Sequence, residues 1–252
     1  MIRRLRPAAP AAVALALAAT LLAACGSSAP PAPPTSQGIV QNRPVPDVPL
    51  LDAEGRTVSL ASYRGKYVVM APFLTLCQEE CPLVAGAYFA LEKDVAAAGL
   101  GKRVVFLTVS VDPWRDTPAR LAAYARRFGA DWTMLTGSQA QLKRFWSFFG
   151  VWFQKVPEPS PPGTDWLTGR TLTMDVDHTD GYILIDTAGH ERFLDANAVN
   201  LHGVLRPDLK AQLDGPGLAN LNQQTGPSWT IGDALSSLSW MVGREIPPSA
   251  GG

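Results

Sequence analysis

An α/β fold with a mixed central sheet flanked by helices is what this sequence predicts, and three observations predict it. Two continuous apolar runs, Tyr67 to Pro72 and Val104 to Val111, read as buried central strands. Between them, Pro82 to Ala98 carries Val84, Tyr88, Leu91 and Val95 at helical spacing, and Gly99 closes it. Further on, Tyr182 to Ile185 and Glu191 to Leu194 flank the turn Thr187-Ala188-Gly189 as a hairpin.

The chain opens on a basic segment, Met1 to Arg6, and an Ala/Leu-rich run that extends to Ala24. Leu22-Ala23-Ala24-Cys25 then reads as a bacterial lipoprotein cleavage signal. Residues 1–24 are expected to be a signal peptide, with Cys25 the first mature residue and lipid on its sulfur. An ordinary cleavage site or an uncleaved anchor is the alternative, and a cysteine directly after Leu-Ala-Ala argues against both. Residues 25–42 read as a tether, because Gly26 to Ser36 is almost all Ser, Ala and Pro and can bury no core. In polyproline form it reaches roughly 30 Å from a membrane. The expected location is the extracytoplasmic face of the cell membrane, held by the lipid.

The domain is expected over 43–245. Val45 to Leu51 and Thr57 to Leu60 read as strands about the turn Asp52-Ala53-Glu54-Gly55. Thr117-Pro118 opens a helix as N-cap and first residue; Leu121, Tyr124 and Phe128 share one face and Gly129 stops it. Trp132 to Leu135 is a short strand, and Ser138 caps a helix through Leu142, Phe145 and Phe149. Val156 to Thr173, rich in Pro and Gly, reads as an inserted loop, and Ala196 to Ser228 as a second insertion. Thr230 starts a final capped helix with Ile231, Leu235, Leu238 and Met241 on one stripe and Asp233 at its third position. The alternative closes the domain at Pro207 to Leu213, but a solvated tail has no need of that stripe. Residues 246–252 are expected to be a disordered tail. Strand, helix, strand, helix and hairpin in this order make a thioredoxin-like layout, whose ligand sites gather at the strand C-terminal edge.

The formal net charge is zero, which gives no electrostatic footprint for nucleic acid. The 46% hydrophobic content is that of an ordinary globular domain. After the leader, no apolar run approaches the roughly 20 residues of a spanning helix.

Chemistry concentrates in Cys77 and Cys81, right after the first central strand and directly before Pro82. A first helical turn starting near Cys77 would place both sulfurs on one face, and the positive end of the helix favours thiolate over thiol. A structural disulfide is the plain alternative, but so small a loop gives only about 2 kcal/mol, against about 5 for a loop of ~100 residues. With Cys25 assigned to lipid, this pair exhausts the cysteines. Downstream, His178 follows Asp177 and precedes the hairpin. Two thiols and an imidazole suit copper or zinc better than hard ions, and the same thiols can cycle between dithiol and disulfide. His190, in a hairpin turn, is expected to be exposed, and His202, in the second insertion, has no assigned role. Met70 and Met174 read as core. Trp114 is either a rim to the site or an ordinary tryptophan. A peroxiredoxin is excluded, because Pro72-Phe73-Leu74-Thr75-Leu76-Cys77 misses its spacing.

From about Arg43 to Leu194, and more loosely to Val242, the chain resembles the Sco (SenC) family. The resemblance rests on Cys77-Gln78-Glu79-Glu80-Cys81-Pro82, on Ser110-Val111-Asp112-Pro113-Trp114-Arg115-Asp116-Thr117-Pro118, and on Val176-Asp177-His178-Thr179 with Tyr182-Ile183-Leu184-Ile185-Asp186. It implies a membrane-tethered copper chaperone of thioredoxin-like fold. Its copper, Cu(I) or Cu(II), would be held by Cys77, Cys81 and His178, and Asp177 would orient a ligand or else cap a strand edge. The implied partners are the copper-bearing subunit of cytochrome c oxidase and other copper chaperones or thiol reductants. The chain departs from the family pattern at Leu76, Gln78 and Glu79-Glu80, and two carboxylates beside the thiols are expected to raise the thiol pKa values.

Two functions from different classes compete. One is metal delivery, without enzymatic turnover. The other is a thiol-disulfide reductase that keeps the recipient's cysteines reduced. His178 discriminates, because dithiol exchange needs no distant imidazole and a two-sulfur, one-nitrogen metal site does. A purely structural or adhesive lipoprotein leaves all three motifs unexplained.

Overall fold

The structure, a computed structural model, describes residues 38–249 together with the isolated positions Ile2, Pro31 and Pro34. The signal peptide, Cys25 and nearly all of the tether lie outside the described residues. In chain order the elements begin with β1 (Ile39–Pro44), β2 (Leu50–Asp52), β3 (Thr57–Val58), a 3-10 turn at Leu60–Tyr63, and β4 (Tyr67–Phe73). Next come α1 (Cys81–Ala97), β5 (Val104–Ser110), α2 (Pro118–Phe128), β6 (Thr133–Thr136), α3 (Gln139–Phe149), β7 (Phe153–Pro157) and β8 (Met174–His178). The chain closes with β9 (Tyr182–Ile185), β10 (His190–Asp195), β11 (Ala198–Val199), α4 (Pro207–Lys210), α5 (Gly215–Asn222), β12 (Ser228–Trp229) and α6 (Ile231–Val242).

Eight strands form one mixed sheet in the order β1-β10-β9-β4-β5-β6-β2-β3. Its centre is parallel: β4 pairs β5 along its whole length, Tyr67 opposite Val104 through Phe73 opposite Ser110, and β5 pairs β6. The hairpin β9–β10 adds antiparallel to β4. The fold is thioredoxin-like, as the sequence predicts. The two parallel strands are almost wholly buried, which is why they read as unbroken apolar runs rather than alternating ones.

The predicted caps form. The Thr117 side chain accepts from the Arg120 amide, and Ser138 and Thr230 make capping boxes with Gln141 and Asp233. α1 lies against β5 and is covered in turn by α4 and α6. Tyr88 of α1 donates to the Leu107 carbonyl at 3.0 Å, and Trp146 of α3 donates to that of Ser110 at 3.0 Å. Leu235 and Leu238 are buried, so α6 is the closing core helix. Among the described residues no helix is long and apolar enough to cross a membrane.

Several boundaries differ from expectation. Val45 to Pro49 is not a strand, because Pro44, Pro46 and Pro49 lack the amide hydrogen that a ladder needs. The first strand lies earlier, at Ile39–Pro44, partly inside the segment read as tether. It pairs with β10 and is secured by Arg43, which donates to the fully buried carboxylate of Glu191 at 3.0 Å. Leu60 turns into the 3-10 segment instead of extending β3. The loop expected over 156–173 is the tip of a hairpin, since Val156 and Pro157 pair with Asp175 and Met174. Nor is the start of the C-terminal tail loose: Ile246 is buried, and the Ser249 amide donates to Asp94 at 2.8 Å. His190 begins β10 and is half-buried rather than exposed.

Candidate metal centre

Cys77, Cys81 and His178 converge although they come from two separate parts of the chain. Cys77 sits on the loop that leaves the C-terminal end of β4, Cys81 is the first residue of α1, and His178 is the last residue of β8. The helix starts at Cys81, not near Cys77. Pro82 has no amide hydrogen to give back to the Gln78 carbonyl, so a regular turn cannot begin earlier. That carbonyl accepts the Asp214 amide instead, at 3.0 Å. The sulfurs still meet. The Cys81 amide donates to Cys77 Sγ at 3.4 Å, and the Leu74 amide donates to Cys81 Sγ at 3.3 Å. Both cysteines are free thiols, Cys77 half-buried and Cys81 buried.

Charge is divided unevenly over this trio. The Cys77 thiol is held well below its usual range, first by a hydrogen bond from the Cys81 thiol and then, against the opposing effect of burial, by His178. Burial and the neighbouring Cys77 sulfur push Cys81 well above the usual thiol range. His178 is buried, which disfavours its charge, but its hydrogen bond to Cys77 and the nearby Asp180 prevail and raise it to about 9. Cys77 is therefore the more acidic thiol and Cys81 the less acidic, and the His178 ring favours its protonated form at neutral pH. The expectation that Glu79 and Glu80 would raise both thiols fails at Cys77. The carboxylates yield instead: burial with nearby negative charge raises Glu79 to about 7 and Glu80 to about 8.

Asp177 does not orient His178. It is exposed, and among the described residues its side chain makes no hydrogen bond, because the strand places it on the face opposite Val176 and His178. The carboxylate beside the ring is that of Asp180, 3.8 Å from Nδ1, and the Thr179 carbonyl lies 3.0 Å from the same nitrogen. Trp114 is partly exposed and packs edge-on against Phe153, the β7 residue paired with His178. Met70 and Met174 are core residues, and His202 is exposed.

The surroundings fix the loop. Asp116, fully enclosed, accepts from the Thr75 hydroxyl at 2.6 Å and the Ser110 hydroxyl at 2.8 Å. Arg115 joins Asp112 to the Met174 carbonyl at 2.6 Å, which ties the second motif to the strand bearing His178. Trp166, from the loop between β7 and β8, donates its indole hydrogen to the Thr75 carbonyl at 2.6 Å, beside the two-pronged Arg120–Asp165 pair. The segment 196–228 also reaches the cysteine loop. Asn220 donates to Glu80 at 2.7 Å, and Gly217 sits so close that a Cβ there would lie 2.4 Å from the Gln78 carbonyl oxygen. Sequence reading missed Asp180, Trp166 and Gly217; only the Asp180 signal, a carboxylate two residues past the histidine, was within local reach.

Among the described residues no three His, Cys, Asp or Glu side chains already stand at the spacing of a closed metal cage. Cys77 lies beside both Cys81 and His178. Loss of the thiol and imidazolium protons would leave two thiolates and a neutral imidazole, a donor set that fits a soft metal ion.

The SCO1/SenC family model matches residues 41–198. The Sco1 protein of Schizosaccharomyces pombe is 28% identical over 140 residues, which cover 56% of this chain and 50% of that protein. The solution structure of apo Sco1 from Thermus thermophilus matches with a TM-score of 0.50 at 26% identity, covering 75% of this chain and 95% of that one. Bradyrhizobium japonicum ScoI, solved with copper bound, matches with a TM-score of 0.49 at 27% identity, over 66% of this chain and 95% of its own. The chain spans about half the length of the curated relatives it matches.

Two outcomes test this geometry. In the copper-free reduced protein, Cys77 should alkylate with iodoacetamide well before Cys81, with a pH midpoint below that of an ordinary thiol. His178→Ala removes one cause of that lowering, so the rate at pH 6 should drop; peptide mapping that finds Cys81 first, or an unchanged variant profile, contradicts the assignment. Gly217→Ala should cost about 1–3 kcal/mol in urea unfolding and alter Cys77 alkylation, since its methyl meets backbone. Gly215→Ala, with open space around it, should alter neither.

Proposed function

The chain belongs to the SCO1/SenC family, and from that premise we propose that it is a membrane-tethered copper chaperone that loads the binuclear copper site of cytochrome c oxidase. One observation carries the reading: His178, about a hundred residues from the cysteines in sequence, is buried against Cys77. A dithiol that only exchanged disulfides would have no need of a second nitrogen donor at the end of a separate strand. Two sulfurs and one imidazole satisfy Cu(I) as a three-coordinate ion and give Cu(II) a thiolate-rich site. Copper here is cargo, and the partly open pocket allows a recipient's ligands to approach. In this reading the recipient is the copper-bearing subunit of the oxidase, and other copper chaperones or thiol reductants supply metal or electrons.

A second reading has a specific observation behind it. A half-buried, low-pKa Cys77 beside a buried, high-pKa Cys81 is the arrangement of an attacking thiolate and a resolving thiol. The same pair could reduce the recipient's cysteines before metal transfer.

Copper titration of the reduced full chain decides. About one copper per chain should bind, with a sulfur-to-copper charge-transfer band in the Cu(II) form. Either Cys→Ser change should abolish tight binding, and His178→Ala should weaken it while leaving reduction of a model disulfide intact. Affinity should rise with pH, because the Cys81 and His178 protons must leave and both are held above neutral pH. Stoichiometric copper in the double Cys→Ser chain places the metal elsewhere, and full complementation of an oxidase-deficient strain by His178→Ala at limiting copper promotes the reductase.

The proposed location has its own test. Cys25 should carry diacylglyceryl in the mature protein, and Cys25→Ser should release the chain from membranes or block its processing. Mass spectrometry of the mature N-terminus that finds an unmodified Cys25 removes the anchor.

A further inference from the structure

The pocket that contains Cys77 and His178 has a volume of about 430 Å³ and is lined by seven carboxylates. Four are Glu79, Glu80, Asp175 and Asp180, immediately around the thiol and the ring. The other three form the rim: Glu158 from the β7–β8 loop, Asp177 from β8 and Asp214 at the start of α5. Among the described residues no Lys or Arg lines it. The whole chain has a formal net charge of zero, with equal numbers of acidic and basic residues. Even with Glu79 and Glu80 raised toward neutral pH, this concentrates acidic groups without a basic partner, a lining of the kind that attracts and orients a cation.

Two of its carboxyl groups have an enclosed oxygen without a protein partner among the described residues. Glu80 is only 9% exposed, yet its Oε2 has no hydrogen-bond partner; Oε1 is taken by Asn220. Glu158 Oε2 is also enclosed without a partner, while its Oε1 accepts the Gly163 amide at 2.9 Å. Buried acceptors left unpaired cost free energy that a donor brought from outside would return.

We propose that this acid-lined pocket is a docking surface for a lysine- or arginine-rich segment of the protein that exchanges with Cys77 and His178. The proposal deepens the function given above and rests on that reading of the site as the point of exchange. A small inorganic cation cannot span carboxylates contributed by the cysteine loop, the β7–β8 loop and the start of α5. A cationic segment can, and it brings its own protein's ligands to the mouth of the site.

The test uses the reduced, copper-free full chain and a fluorescent oligolysine peptide, read by anisotropy. Binding should weaken steeply with added salt, and oligoglutamate should not bind. Glu158→Gln with Asp214→Asn keeps both local hydrogen-bond acceptors and should weaken oligolysine roughly tenfold. Asp47→Asn with Glu54→Gln, outside the pocket, should leave it unchanged. Bound peptide should also slow alkylation of Cys77. Equal affinity in the rim variant, an equal loss in the control pair, or unprotected Cys77 overturns the proposal. So does protection by Mg²⁺ as complete as that by oligolysine at matched ionic strength, which would make the pocket a small-cation site. Copper titration of the same preparations separates the failures. Copper bound normally with unaltered peptide affinity in the rim variant removes the docking surface alone, whereas a wild-type chain that binds no copper removes the proposed function.

Discussion

The cysteine loop is buried, and every polar group of its backbone needs a partner; the rest of the site follows from how that need is met. Loops normally run over the surface because their amides and carbonyls have no ladder to join. This one leaves β4 into the interior, and its partners come from the whole chain. The Leu74 amide finds Cys81 Sγ, and the Thr75 hydroxyl finds Asp116. The Thr75 carbonyl accepts from Trp166, and the Gln78 carbonyl accepts from Asp214. Each partner belongs to a different segment: α1, the turn before α2, the β7–β8 loop, and the 196–228 segment. Thiols held this way have a fixed geometry relative to His178, because Arg115 and Trp166 secure the hairpin that carries it.

That constraint also sets the electrostatics. Three titratable groups enclosed together cannot each keep an ordinary proton affinity, and they resolve the conflict by sharing. Cys77 becomes the more acidic thiol, while Cys81 and His178 hold their protons more tightly. Burial and nearby negative charge raise Glu79 to about 7 and Glu80 to about 8. Removing any member leaves a buried charge or an empty acceptor, which costs more than the pair interaction itself contributes.

Legibility in the sequence followed the range of the interactions. The helices starting after Thr117, Ser138 and Thr230 were readable because a cap and its partner lie three residues apart. The central strands were readable because burial on both faces leaves a continuous apolar run. The three motifs pointed to two cysteines and a histidine that the fold brings into one region. Strand β1 was not readable: it is an edge strand with exposed alternation, held by β10 and by Glu191, some 148 residues away. Asp180 was passed over for Asp177, since adjacency in sequence is not adjacency across a strand, where neighbours face opposite ways. The 196–228 segment gave no sign of its contact with Gln78, because that contact depends on the missing side chain of Gly217 and on a loop about 140 residues earlier.

The departures from the family pattern are where this chain is most its own. Gln78, Glu79 and Glu80 lie between the two sulfurs, and the structure gives each a place. Gln78 supplies the carbonyl that receives Asp214, Glu79 faces the pocket, and Glu80 takes Asn220 of α5. Two of these three contacts are made to the same 196–228 segment. A segment that reaches the loop and the acidic residues that receive it form one unit, so neither is an isolated variation. A cation bound by Cys77 and Cys81 would sit beside Glu79 and Glu80, whose carboxyls burial and nearby negative charge raise to about 7 and about 8.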